Sequence, residues 1–232
     1  MGWRDTAWFG CSYVAMQVAV AAVVALVLSF GFGTHDSHLT AAAFDRWTRD
    51  VTKPLASLAA DLGAGLFLLA ELRRRRFLEV VGWRRCPVRF VVGGAALGLA
   101  LSLLWGFLAS WLESHGVEPT GQGSMSRMAE GGGLQTLAWT ILVVGLAPWI
   151  EETLFRGVLY ASAGGVVSTV VFVLLHLGEI VHYPVALLPI TTMALVALTL
   201  RVRSGSLGPA VAVHLAYNAV IAWPVLVWAC NR

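Results

Sequence analysis

Long stretches of this chain hold no charged residue at all, and no other property limits its possible folds so much. Segment 8–32 is one such stretch, longer than the ~20 residues a helix needs to cross a bilayer core. It also exceeds the apolar region of a cleavable signal peptide, so it reads as a retained helix. Further apolar runs cover 54–72, 90–112, 134–163, 166–177, 184–200 and 207–229. The run at 166–177 is short for a full crossing, and Pro224 should bend the last one. With 58% hydrophobic residues, 12% charged and a mean hydropathy of +0.75, the chain departs far from a soluble domain. The expected fold is all-α: a polytopic membrane bundle of about seven transmembrane helices. It is read as a single integral membrane domain over 1–232. Within it, 1–133 supplies three spans with their loops and 134–232 supplies four.

Charge placement sets the expected topology. Segment 73–89 holds Arg73, Arg74, Arg75, Arg76, Arg84, Arg85 and Arg89 against Glu79 alone, which marks a cytoplasmic loop. Such a run beside a span acts as a topology determinant or touches lipid headgroups. Counting crossings from it puts Gly164-Gly165 and 201–206 in the cytoplasm, where Arg201 and Arg203 agree. The N-terminus then lies inside and the C-terminus outside. No basic stretch interleaves with exposed aromatics, so no nucleic-acid partner is expected. Cys11, Cys86 and Cys230 are scattered and read as free thiols rather than a zinc cluster. Gly94 and Gly98 form a G-x-x-x-G face suited to close helix packing. Asp61 reads as structural near the outer interface, and Glu179 as an outer-interface residue that could instead orient His176.

Within the fourth run stands Ala147-Pro-Trp-Ile-Glu-Glu-Thr-Leu-Phe-Arg-Gly157. Ionisable groups at membrane depth are costly and by default mark function. Glu152 and Arg156 are i,i+4 neighbours and can neutralise each other. Glu151 lies about 100° away with no local basic partner, which leaves it free for chemistry. Pro148 should kink the helix.

His176, His214 and Asn218 are the other polar residues deep in the last runs. At ~1.5 Å per residue from the cytoplasmic turns, Glu151 lies ~18–20 Å deep, His176 ~15–18 Å, His214 ~10 Å and Asn218 ~17 Å. Residues on three helices thus converge on one layer near the middle of a core ~30 Å thick. Each alone could serve helix packing; together they favour a site. A carboxylate and a histidine on facing helices can hold a water and take its proton. A second histidine with an asparagine one turn on can donate hydrogen bonds to an oxyanion. With no Ser or Cys poised beside the histidines, direct attack by water on a peptide bond is the expected reaction. Two other readings stay open. Glu151, His176 and His214 supply a His₂Glu set like some hydrolytic zinc sites. The same residues could also serve a transporter, or a binding-only immunity protein.

Three motifs, Glu151-Glu152-x-x-x-Arg156, Phe172-x-x-x-His176 and His214-x-x-x-Asn218, fall in order on successive runs. Over about 135–222 the sequence resembles the CPBP intramembrane protease family, which groups type II CAAX prenyl proteases with bacteriocin-processing and immunity proteins. The resemblance implies a helical bundle with a central polar cavity open to the cytoplasm. It further implies that Glu151 and His176 activate water, that His214 and Asn218 stabilise the oxyanion, and that Glu152, Arg156 and Phe172 support them. A glutamate-type enzyme without catalytic metal or other cofactor is expected. Its partners would be membrane lipids and, as substrate, the C-terminal tail of a membrane-associated peptide or protein. A compact chain without long tails or a retention signal suggests a bacterial or archaeal cell membrane.

Overall fold

The computed structural model of the protein describes residues 3–33, 77–117 and 133–230, and among them every regular element is helical. In chain order these are α1 (Trp3–Gly33), α2 (Phe77–Val81), α3 (Val88–Ser114) and α4 (Gly133–Thr140). There follow α5 (Ala147–Glu152), α6 (Tyr160–Leu175), α7 (Leu177–His182), α8 (Leu187–Ser204) and α9 (Gly208–Cys230). Two π-helical turns, Ile141–Leu146 and Thr153–Leu159, join α4 to α5 and α5 to α6.

By length and hydropathy, four stretches can cross a membrane: Val88–Ser114, Ile141–Leu175, Pro184–Ser204 and Gly208–Val227. The second is not one straight helix. Ser168 Oγ donates to the carbonyl of Phe155 at 2.6 Å, thirteen residues away. In a straight helix those residues would stand ~20 Å apart. The chain therefore doubles back at Gly164, whose φ of 80° and ψ of 173° suit a residue without a Cβ. That is the turn expected at Gly164-Gly165, so this stretch supplies two antiparallel limbs. The expected second span, 54–72, with Asp61 and most of the arginine run, lies outside the described residues. So do the polar loop 34–53 and the Gly-rich segment 118–132.

The tightest helix contact is between α3 and α9. A Cβ on Gly94 would stand 2.6 Å from the carbonyl oxygen of Pro209, and one on Gly98 would collide with that of Val213. Both contacts advance together along the two helices, so α3 and α9 run parallel. The G-x-x-x-G face expected to pack closely does so, and it seats the helix that carries His214 and Asn218.

The two ends of the bundle agree on orientation. At one end Leu207 N–H donates to Gly82 O at 2.8 Å and Ser206 Oγ to Arg84 O at 2.6 Å. The arginine-rich segment and the turn before α9 thus share a side, as the charge count required. At the other end burial, and then the Glu113 carboxylate, raise the Tyr183 phenol above its ordinary pKa. The end of α3 is therefore close to the start of the Pro184 segment.

Segment 77–84 is more than a charged loop. Val81 is fully buried with Ile150, Val158 and Leu207. Trp83 donates Nε1–H to Thr153 Oγ1 at 3.3 Å, and its ring lies 5.1 Å from that of Trp149. On a helix Trp149 and Thr153 share a face roughly opposite Glu151. The segment thus braces the back of the helix whose other side carries the carboxylates.

Candidate active site

Glu152 and Arg156 are completely buried and joined by a 3.0 Å hydrogen bond between Arg156 Nη1 and Glu152 Oε1. The i,i+4 pairing read from spacing is therefore present. Arg156 is held twice more: Nη2 donates to Ala194 O on α8 at 3.1 Å, and its guanidinium lies 4.2 Å over the Phe172 ring. A buried ion pair is favoured by further contacts to its remaining groups, although Arg156 Nε and Glu152 Oε2 have no hydrogen-bond partner. Phe172, fully buried, therefore has a definite task, as the flat face against which the cation rests. Its ring also packs edge-on against Phe155 at 5.2 Å.

His214 joins the two halves of the motif set. Its Nδ1 donates to Glu152 Oε1 at 2.9 Å, and its Nε2 stands 4.0 Å from Glu151 Oε2. Spacing on a single helix could not reveal that Glu152 serves a histidine from α9 as well as Arg156. The Nε2–Oε2 distance is too long for a direct hydrogen bond. Glu151 is 28% exposed, yet its Oε2 is closed off from solvent and has no hydrogen-bond partner. It is the free carboxylate of the pair, as expected.

The other two residues lie beside this cluster. The His176 ring is 4.6 Å from that of Phe172, and its Nδ1 donates to Phe172 O at 2.9 Å. That bond leaves Nε2 as the acceptor nitrogen of a neutral ring. His176 is not hydrogen-bonded to Glu151; the imidazole near Glu151 is that of His214. Asn218 gives one N–H to Val143 O at 2.8 Å, in the first π-turn. Its second N–H remains available. His214 sits at 4% exposure, while His176 and Asn218 are partly buried.

The pattern of i→i+5 turns on both sides of the glutamates was not legible in the sequence. Ala147 N–H reaches back to Leu142 O, and Tyr160 N–H to Phe155 O. The first has a local cause: Pro148 has no N–H to return to Val144, and the expected kink takes the form of a π-turn. The second contains no proline.

Among the described residues no group of three or more His, Cys, Asp or Glu side chains is gathered closely enough to hold a metal ion. Glu179 forms the first turn of α7 and is half-buried there.

Fold and site together define a membrane protein with a charged, hydrogen-bonded centre enclosed by its helices. Residues 133–220 match the family model for the type II CAAX prenyl endopeptidase Rce1-like group, so that segment is similar to the intramembrane proteases it resembles in its motifs. The match spans Glu151, Glu152, Arg156, Phe172, His176, His214 and Asn218. Neither the curated proteins nor the solved structures provide a match.

Proposed function

We propose that the protein is an intramembrane endopeptidase of the glutamate type, hydrolysing a peptide bond near the C-terminal end of a membrane-associated protein or peptide. The observation that carries this reading is the unbonded, enclosed Oε2 of Glu151, 4.0 Å from an imidazole that the buried Glu152 holds in place. A water seated against Oε2 gives its proton to the carboxylate as it attacks the carbonyl carbon. His176, with Nδ1–H committed to a carbonyl, presents a basic Nε2 that can orient the same water. The tetrahedral oxyanion that forms is met by the free N–H of Asn218 and, with Nδ1–H given to Glu152, by Nε2–H of His214 in its imidazolium form. The proton on Glu151 then passes to the leaving amine. His176, His214 and Asn218 are each held by a hydrogen bond elsewhere, which favours stabilising charge without reorganisation.

The reading places the enzyme in a bacterial or archaeal cell membrane, with the site reached from the cytoplasm. It involves no nucleic acid and no cofactor. Glu151→Gln tests it: membrane peptidomes of cells carrying this variant and the parent protein are compared. Loss of defined C-terminal cleavage products, with normal protein levels, supports the proposal. Undiminished cleavage removes Glu151 from the reaction.

A further inference from the structure

Arg201 is 9% exposed near the end of α8, on the side of the bundle where the charge count placed it. Its guanidinium turns inward. Nε donates to Arg156 O at 3.2 Å, Nη2 to Val81 O at 3.4 Å, and the group lies 5.3 Å over the Tyr160 ring. Among the described residues no carboxylate pairs with it. A buried cation satisfied by backbone carbonyls is costly, so the carbonyls it holds must matter. Gly82, with φ of 87°, makes room for it: a Cβ there would collide with the guanidinium.

In an α-helix the Arg156 carbonyl would accept from Tyr160 N–H, but that N–H goes to Phe155 O and Gly157 O. Arg201 Nε donates to the bypassed carbonyl instead. The first π-turn shows the same arrangement: Ala147 N–H bypasses Val143 O, and Asn218 takes that carbonyl. Each i→i+5 turn accommodates one residue more than an α-helical turn, and one residue is worth ~100° of rotation. That is also the angle between Glu151 and Glu152.

We propose that Arg201 is a positioning residue: by occupying the Arg156 carbonyl it holds the Thr153–Leu159 π-turn and so sets the register of Glu151 and Glu152 against Phe172, His176 and His214. If the turn relaxes to α-helix, the glutamates rotate by ~100° relative to the limb beyond Gly164. The Glu152–His214 contact and the Arg156–Phe172 stack cannot then both persist. Arg201 touches no reacting atom; it acts through the backbone.

The test has two arms, of which only the first rests on the peptidase reading. Arg201→Ala should lower cleavage by about a hundredfold, the scale of a misplaced catalytic group. Deleting Leu159 removes the extra residue, so an ordinary α-helix restores the register. Cleavage should therefore return in Arg201→Ala combined with the deletion, and should persist in the deletion alone. A brace needed only for stability would not be relieved by shortening the helix. Parental cleavage in Arg201→Ala with an unchanged register overturns the proposal, as does an inactive or unfolded protein for the deletion alone. If the deletion alone stays active while the combined variant does not, Arg201 acts by another route and the proposal also fails.

The second arm reads register without activity, from the structure of Arg201→Ala protein in lipid nanodiscs. Loss of the 2.9 Å Glu152–His214 contact or of the 4.2 Å Arg156–Phe172 stack supports the proposal; retention of both overturns it. A changed register with undiminished cleavage would count against the peptidase site instead.

Discussion

Replacing Arg156 by methionine keeps most of the side chain's apolar length and deletes the cation that neutralises Glu152. Both partners are completely buried, so water cannot take over the role of the guanidinium. Breaking a buried pair in this way costs about 3–5 kcal/mol. The lost bond to Ala194 O and the lost contact over Phe172 are part of that sum, and the methionine sulfur against the ring returns roughly 0.3–1.5 kcal/mol. A net loss of about 3 kcal/mol is expected, roughly two decades in the ratio of folded to unfolded protein. Glu152→Gln should cost less, because its amide oxygen can still accept from His214 Nδ1. The double variant should lie well above the sum of the singles, with a coupling energy of about 2 kcal/mol, because no unpaired charge remains. Equilibrium unfolding in mixed micelles with increasing denaturing detergent, followed by tryptophan emission, measures all three variants. If Arg156→Met stays within about 0.5 kcal/mol of the parent, or the double variant equals the sum of the singles, the buried pair does not carry the site.

Three further outcomes follow from the geometry. Asn218→Ala removes a donor expected at the oxyanion and should slow cleavage by about 10²–10³, measured as kcat on a membrane-tail peptide; a purely packing role would leave kcat intact. Gly98→Val drives a side chain into the Val213 carbonyl and should cost about 1–3 kcal/mol or more, whereas Gly106→Val meets nothing within 4 Å and should cost little beyond helix propensity. Equal losses in the two would dissociate the glycine face from α3–α9 packing. Chelation of purified active protein should leave cleavage unchanged; stoichiometric zinc with chelator-sensitive turnover would contradict the scattered donor set.

What could be read before the structure was what depends on neighbours along the chain. The pairing of Glu152 with Arg156, the spare Glu151, the reversal at Gly164 and the glycine face at 94 and 98 all follow from local spacing. What could not be read depends on partners far away in sequence. The bond from His214 to Glu152 spans 62 residues and that from Arg201 to Val81 spans 120, and neither leaves a periodic trace. The two π-turns were hidden for a related reason. The first has a local trigger in Pro148, but the donors that take the bypassed carbonyls, Asn218 and Arg201, lie on other helices. The inward turn of Arg201 was not legible because a cation near a span end normally turns toward water. The brace at 77–84 was likewise hidden inside a segment whose arginines advertise a solvated surface.

The parallel seat of α3 on α9 bears on how much of the chain is needed. Family likeness begins at residue 133, well after α3 ends at Ser114. Yet the glycines of α3 are what let it lie against the backbone of the helix bearing the histidine and the asparagine. A fragment cut to the recognisable half would expose that strip of backbone to detergent or acyl chains, with no snug neighbour to replace the missing helix. The portion that matches the family model thus leans on a stretch outside the match, and α3 belongs to the same packed unit as the candidate site.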